Sequence, residues 1–171
     1  MGNNPISRWK MHLLTGMYTA RVDEKGRLSL PSRLRAALSS EEVVVLPGLD
    51  GNHLMLMTPD YFENQFCVQI ISTPLALMDK EKRQLMRKII SPAQYLDVDS
   101  AGRINIPQSQ RESVGISNKS ECLLMGTGYA VEIWNPEVFA KEDEDCTESV
   151  SDLAQKIYEE EKNRWSSFII L

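Results

Sequence analysis

Apolar and polar positions alternate along YTARV (18–22) and RLSL (27–30), the period-two pattern of half-buried strands. Between them DEKG supplies a turn, with Gly26 where such a turn calls for a positive φ. Pro31 ends strand pairing and can open a helix. The period then changes in SRLRAALS (32–39), where Leu34, Ala37 and Leu38 share one face and Arg33 and Arg35 point elsewhere. Two further apolar runs, 43–46 and 53–57, complete a β-β-α-β-β unit.

The pattern is written twice. DEKGRLSLP (23–31) returns 76 residues later as DSAGRINIP (99–107). At that offset Val22 falls on Val98, Leu28 on Ile104, Leu30 on Ile106, Pro31 on Pro107 and Arg35 on Arg111. With two extra residues admitted, VVVL (43–46) answers CLLM (122–125), and LMLMTPDYF (54–62) answers VEIWNPEVF (131–139). A unit of about 45 residues buries too little surface to stand alone, whereas two interlocked units can share a core. The expected fold is therefore α+β, mainly β with α. Two repeats, 17–62 and 93–136, would form one body with pseudo-twofold symmetry.

Residues 75–90 read as an amphipathic linker helix with Leu77, Leu85, Met86, Ile89 and Ile90 on its apolar side, stopped at Ser91-Pro92. Residues 141–171 read as an acidic helical tail in which Leu153, Ile157 and Tyr158 are spaced for one face. Its end carries Trp165, Phe168, Ile169, Ile170 and Leu171, an apolar run expected to pack on the chain's own body or on a neighbour.

Charge separates the two repeats. The chain of 171 residues carries a net charge of −5, which first argues against a nucleic-acid partner. Residues 141–164 account for that whole imbalance, with nine acids and four bases. In 18–35, Arg21, Lys25, Arg27, Arg33 and Arg35 outweigh Asp23 and Glu24, a local charge of +3. In 94–111, Arg103 and Arg111 only balance Asp97 and Asp99. Lys25 is matched by Ala101, Arg21 by Asp97 and Arg33 by Ser109. A basic two-stranded ribbon fits the major groove, where arginine can bond a guanine edge and its neighbours can neutralise phosphates. Arg21, Lys25, Arg27, Arg33 and Arg35 are thus candidate DNA contacts, against the alternative of a solvated hairpin rim. Asp23, Gly26, Asp99, Gly102 and Arg103 are expected to build the turns themselves, each aspartate accepting turn amides or the arginine four positions on. KEKRQLMRK (80–88), with five cations and one acid, could add phosphate contacts but is expected first as the wet face of the linker helix.

The remaining chemistry is sparse. Cys67, Cys122 and Cys146 form no C-x-x-C pair and suit buried thiols in a reducing compartment. His12 and His53 are too few and too far apart for a zinc site. With no phosphate-cradling glycine loop and no nucleophile beside a base, neither a cofactor nor an enzymatic activity is expected. No apolar run reaches the roughly 20 residues a bilayer crossing needs. The N-terminus shows no secretory pattern, so a cytoplasmic protein is expected.

MHLLTGMYTARVDEKGRLSLPSRLR, followed by YLDVDSAGRINIP and VEIWNPEVF, resembles the MraZ family of bacterial transcriptional regulators. The resemblance runs from about Met11 to the helix after residue 150, and Met11 matches the usual family start, so that 1–10 are either an extension or added sequence. It implies two AbrB-like (SpoVT-AbrB) swapped-hairpin domains in one chain. It further implies a cytoplasmic, nucleoid-associated protein that binds double-stranded DNA at direct repeats upstream of the operon for cell division and cell-wall synthesis, and that assembles into homo-oligomeric rings. The loop from Asp23 to Arg27 matches the family's DNA-contacting motif, whereas the second loop lacks its lysine. The other reading of the same hairpins is an antitoxin or assembly module that holds a protein partner.

Overall fold

The structure is a computed structural model that describes residues 13–71 and 78–169, the last five by backbone only. Met11, His12, Leu77, Ile170 and Leu171 lie outside the described residues, as do the side chains of Trp165, Phe168 and Ile169.

The first half contains β1 (Met17–Arg21), β2 (Arg27–Ser29), α1 (Ser32–Leu38), β3 (Glu42–Pro47) and β4 (Leu54–Met57). A helical stretch follows: α2 (Pro59–Tyr61), a π-helical segment (Phe62–Phe66) and α3 (Cys67–Ile71). After α4 (Lys80–Ile89), the second half repeats the plan with β5 (Gln94–Asp97), β6 (Arg103–Asn105), α5 (Gln108–Ser113), β7 (Glu121–Gly126) and β8 (Val131–Trp134). Then come α6 (Pro136–Asp145) and α7 (Val150–Ile169).

The halves are exchanged rather than side by side. One six-stranded sheet runs β1-β7-β8-β4-β3-β5, and every pairing in it is antiparallel. The first strand of each half thus adds to the sheet of the other, with β4 and β8 meeting at the centre. The order reads the same when the halves are swapped, which is the pseudo-twofold expected from the repeat. The second strands of the two halves, β2 and β6, pair with each other in a separate ladder that sets Leu28 opposite Ile104. The two copies of the repeated phrase are therefore neighbours across the pseudo-dyad.

This corrects the expectation of a basic two-stranded ribbon. β1 pairs with β7 and β2 with β6, so within the first hairpin only Val22 bridges Leu28. The basic element is a turn at a strand crossing.

The main core lies between the ladder, α1, α5 and one face of the sheet. Leu28, Leu34, Val43, Val45, Leu54, Leu56, Ile104, Ile106, Leu124 and Ile133 meet there. On the opposite sheet face Val44, Leu46, Met55 and Met57 pack with Phe62 and Ile89, beneath the helical stretch and α4. Helix α4 starts at Lys80 because the Asp79 carboxylate caps it, accepting the Glu81 and Lys82 amides at 2.9 and 3.2 Å. Ile89 is its buried residue, while Leu85, expected on the apolar side, is exposed.

The described residues fall into two compact units, up to Val138 and from Phe139. In the second, α7 has Val150, Ile157 and Tyr158 exposed, and Lys156 pairs with Glu148 at 3.6 Å. No helix among the described residues is long and apolar enough to cross a membrane. The three cysteines are free thiols in three settings: Cys122 is buried, Cys67 is half-buried and Cys146 is exposed. Burial pushes the Cys122 thiol up to about 12, so it stays protonated.

Candidate nucleic-acid interface

Each turn is organised by its aspartate. In the first, Asp23 Oδ1 accepts the amides of Lys25 at 2.8 Å and Arg27 at 2.9 Å, and Arg27 Nε donates to Oδ2 at 2.8 Å. Gly26 donates to the Asp23 carbonyl at 3.1 Å with φ +81°, which its missing Cβ makes strain-free. In the second, Asp99 holds Ala101 at 3.0 Å and the Arg103 amide at 2.9 Å, while Arg103 Nε donates to Oδ2 at 2.8 Å. Gly102 takes φ +75°. The two turns have one geometry and two charge patterns.

Both carboxyls are held below the ordinary 3.8. For Asp23 the main cause is the Arg27 amide, and for Asp99 the Arg103 side chain. Because the folded form titrates lower than the unfolded, this contribution to stability is complete above the ordinary value and is lost as pH falls through the folded one. Acid titration followed by NMR is expected to show the Lys25 and Ala101 amides losing protection with midpoints below the ordinary carboxyl value of 3.8.

Lys25 is exposed at the tip of the first turn, and Arg21 is exposed on β1, in register opposite Glu121 of β7. Arg27 keeps 32% of its side chain accessible while bonded to Asp23, and Arg103 has the same exposure. Arg33 is exposed on α1. Arg35 does not join this group. Its guanidinium rests on Gly102, where a Cβ would collide with Nη1, so it belongs to the second turn. A groove of about 540 Å³ there is lined by Arg35, Ser40, Glu41, Asp97, Val98 and Asp99.

Sequence reading missed what the second half brings to the first turn. The Arg111 side chain lies under Gly26, and a Cβ on that glycine would stand 2.6 Å from Nη2. Asn118 Nδ2 donates to the Glu24 carbonyl at 3.0 Å, and Lys119 Nζ pairs with the Glu24 carboxylate at 3.0 Å. Lys119, exposed and with φ +62°, therefore offsets the Glu24 charge next to Lys25 from a segment 94 residues beyond that lysine. The offset that aligned Arg35 with Arg111 was the available signal, since swapped halves place each helix under the other's turn.

His53 and Trp134 stack with ring centroids 4.3 Å apart, and His53 Nδ1 lies 3.0 Å from Asn52 Oδ1. The histidine is buried, packed against the β8 tryptophan. Among the described residues no group of three or more His, Cys, Asp or Glu is placed to hold a metal ion.

The profile of a family described as "MraZ protein, putative antitoxin-like" matches the chain twice, over residues 13–87 and 89–159. A protein of Treponema denticola named "Transcriptional regulator MraZ" is 34% identical over 146 residues, covering 85% of this chain and 98% of its own. Proteins of the same name from Treponema pallidum and Mesoplasma florum are 36% identical over 121 residues and 30% over 147. These cover 71% and 86% of this chain, and 78% and 97% of their own lengths. The doubled profile meets an exchanged pair of β-β-α-β-β halves, and the relatives match over 78–98% of their own lengths. The chain belongs to the MraZ family.

Proposed function

We propose that this chain is a sequence-specific DNA-binding transcriptional regulator, a repressor acting on short direct repeats upstream of the cell-division and cell-wall operon. One observation carries the reading: of two turns with the same backbone, the first presents Lys25 and Arg27, with Arg21 exposed on the strand before it, where the second has Ala101, Arg103 and Asp97. A fold element needs both turns, whereas the extra cations of the first suit a polyanion. The family relatives, named as transcriptional regulators, support the same choice.

Arg27 reads a base edge while Lys25 and Arg21 neutralise phosphates and set the register. One turn makes few contacts. Several copies in a ring offer turns at fixed spacing to successive repeats, and tethering multiplies their affinities. The acidic tail, carrying the whole net charge, leaves the basic turn as the favoured face for DNA in the cytoplasm and on the nucleoid.

The test is fluorescence anisotropy of the full chain with a duplex from upstream of its own coding sequence. Affinity is expected to fall steeply with salt, log K losing about 0.9 per phosphate for each unit of log salt. Scrambling the direct repeats should leave only the salt-sensitive, non-specific part. A flat salt response overturns the proposal. Retention of a single protein partner with no retention of DNA points instead to an antitoxin or assembly module.

A further inference from the structure

We infer that Arg111 and Asn118, in the half of the chain whose own turn has Ala101 in place of a lysine, are positioning residues that hold the first turn in its DNA-competent shape. The inference rests on the reading above and names what regulates the geometry of that same site.

Arg111 is 4% exposed and anchored by a 3.1 Å bond from Nε to the Ile106 carbonyl. Its guanidinium fills the space under Gly26 that any other residue's Cβ would need. The tip of the turn therefore rests on a fixed platform. Asn118 grips the neighbouring residue, donating Nδ2 to the Glu24 carbonyl at 3.0 Å. Lys119 pairs with the Glu24 carboxylate, which would otherwise stand beside Lys25 and repel phosphate.

The second turn shows that this is more than a requirement of the fold. It has a comparable platform in Arg35, yet Arg35 is exposed where Arg111 is buried. The clamp is not repeated there. The Val22 amide bonds the Ser120 carbonyl as the Val98 amide bonds the Glu41 carbonyl, so Asn118 and Lys119 correspond to Ser39 and Ser40. Ser40 turns instead to its own strand, donating Oγ to the Glu42 carbonyl at 2.6 Å. Only the basic turn is held from both below and beside. A loop ordered before DNA arrives does not lose that entropy on binding, so preorganisation appears as affinity.

The test uses the full chain with Asn118→Ala and Arg111→Met, and Lys25→Ala in parallel. Anisotropy with the upstream duplex is read beside amide exchange of Gly26 and Gly102. Each positioning variant is expected to weaken binding by about threefold to tenfold and to speed Gly26 exchange while leaving Gly102 unchanged. In a double-mutant cycle Asn118→Ala and Lys25→Ala should be non-additive, because one acts through the loop that carries the other. Should Arg111→Met fail to fold, Asn118→Ala, which removes only an exposed amide, decides alone. Unchanged affinity in Asn118→Ala, or full additivity, overturns the positioning role. If Lys25→Ala itself leaves affinity and salt slope unchanged, the DNA reading fails, and the positioning role fails with it.

Discussion

Alanine at Arg27 is expected to lower operator affinity by a factor on the order of a hundred or more, while alanine at Arg103 leaves it close to that of the parent chain. The two residues are otherwise matched. Each donates Nε to its aspartate at 2.8 Å, each is 32% exposed, and each follows a positive-φ glycine. Whatever their bonds contribute to the turns, the two variants should therefore lose similar amounts of thermal stability. Their surroundings differ. Arg27 lies two residues after Lys25 and shares its turn with Lys119, whereas Arg103 lies two after Ala101, and its hydrogen bond to Asp99, followed by the charges of Asp99 and Asp23, raises its own pKa. A lost base contact removes about 1–3 kcal/mol from each engaged subunit, and several tethered subunits compound it. Anisotropy, sizing and melting together check the expectation. Equal loss of binding in both variants would mean that the turns act as a symmetric pair, and collapse of the oligomer in Arg27→Ala would return Arg27 to a structural role.

The repeat made the plan of the fold legible. It set the β-β-α-β-β order, the faces of α1 and the turn glycines, because period-two alternation and a doubled phrase are local signals. Strand partners are not local. The alternation in YTARV is satisfied equally by β2 or by β7, and sequence reading chose the hairpin neighbour where the fold pairs β1 with β7. The helical stretch from Pro59 to Ile71 also went unread, although Thr58 accepts the Tyr61 amide at 3.2 Å as an N-cap and Pro59 follows it. Its apolar residues, shared between a π-helical segment and α3, follow no single helical period. At the site, exposed Lys25 was within reach of composition and spacing. Asn118 was not, since its partner lies 94 positions away and no pattern in SNKS points to it. Arg35 misled for the same reason: charge counting placed it with Arg27, while the exchange of halves lays it on Gly102.

Alanine at Leu28 should destabilise both halves at once. Leu28 and Ile104 are each fully buried and face each other in the β2–β6 ladder, where the repeated phrases pair. Truncating a buried leucine costs roughly 2–5 kcal/mol, because the cavity left behind closes only in part. Set against the roughly 5–15 kcal/mol that stabilises a typical domain, that is a large share. The cost cannot be confined to the first half, because Val43 and Val45 lie in the same core as Leu124 and Ile133. Urea denaturation is therefore expected to show a single transition with a much lower midpoint, and Ile104→Ala a similar one. The double variant should lose less than the two separate losses combined, since one relaxed cavity serves both truncations. Leu49→Ala, at a side chain 64% exposed, is the control and should shift the midpoint little. Two separate transitions in Leu28→Ala would mean that each half folds without the other, and the exchanged sheet gives neither half a complete set of strand partners with which to do so.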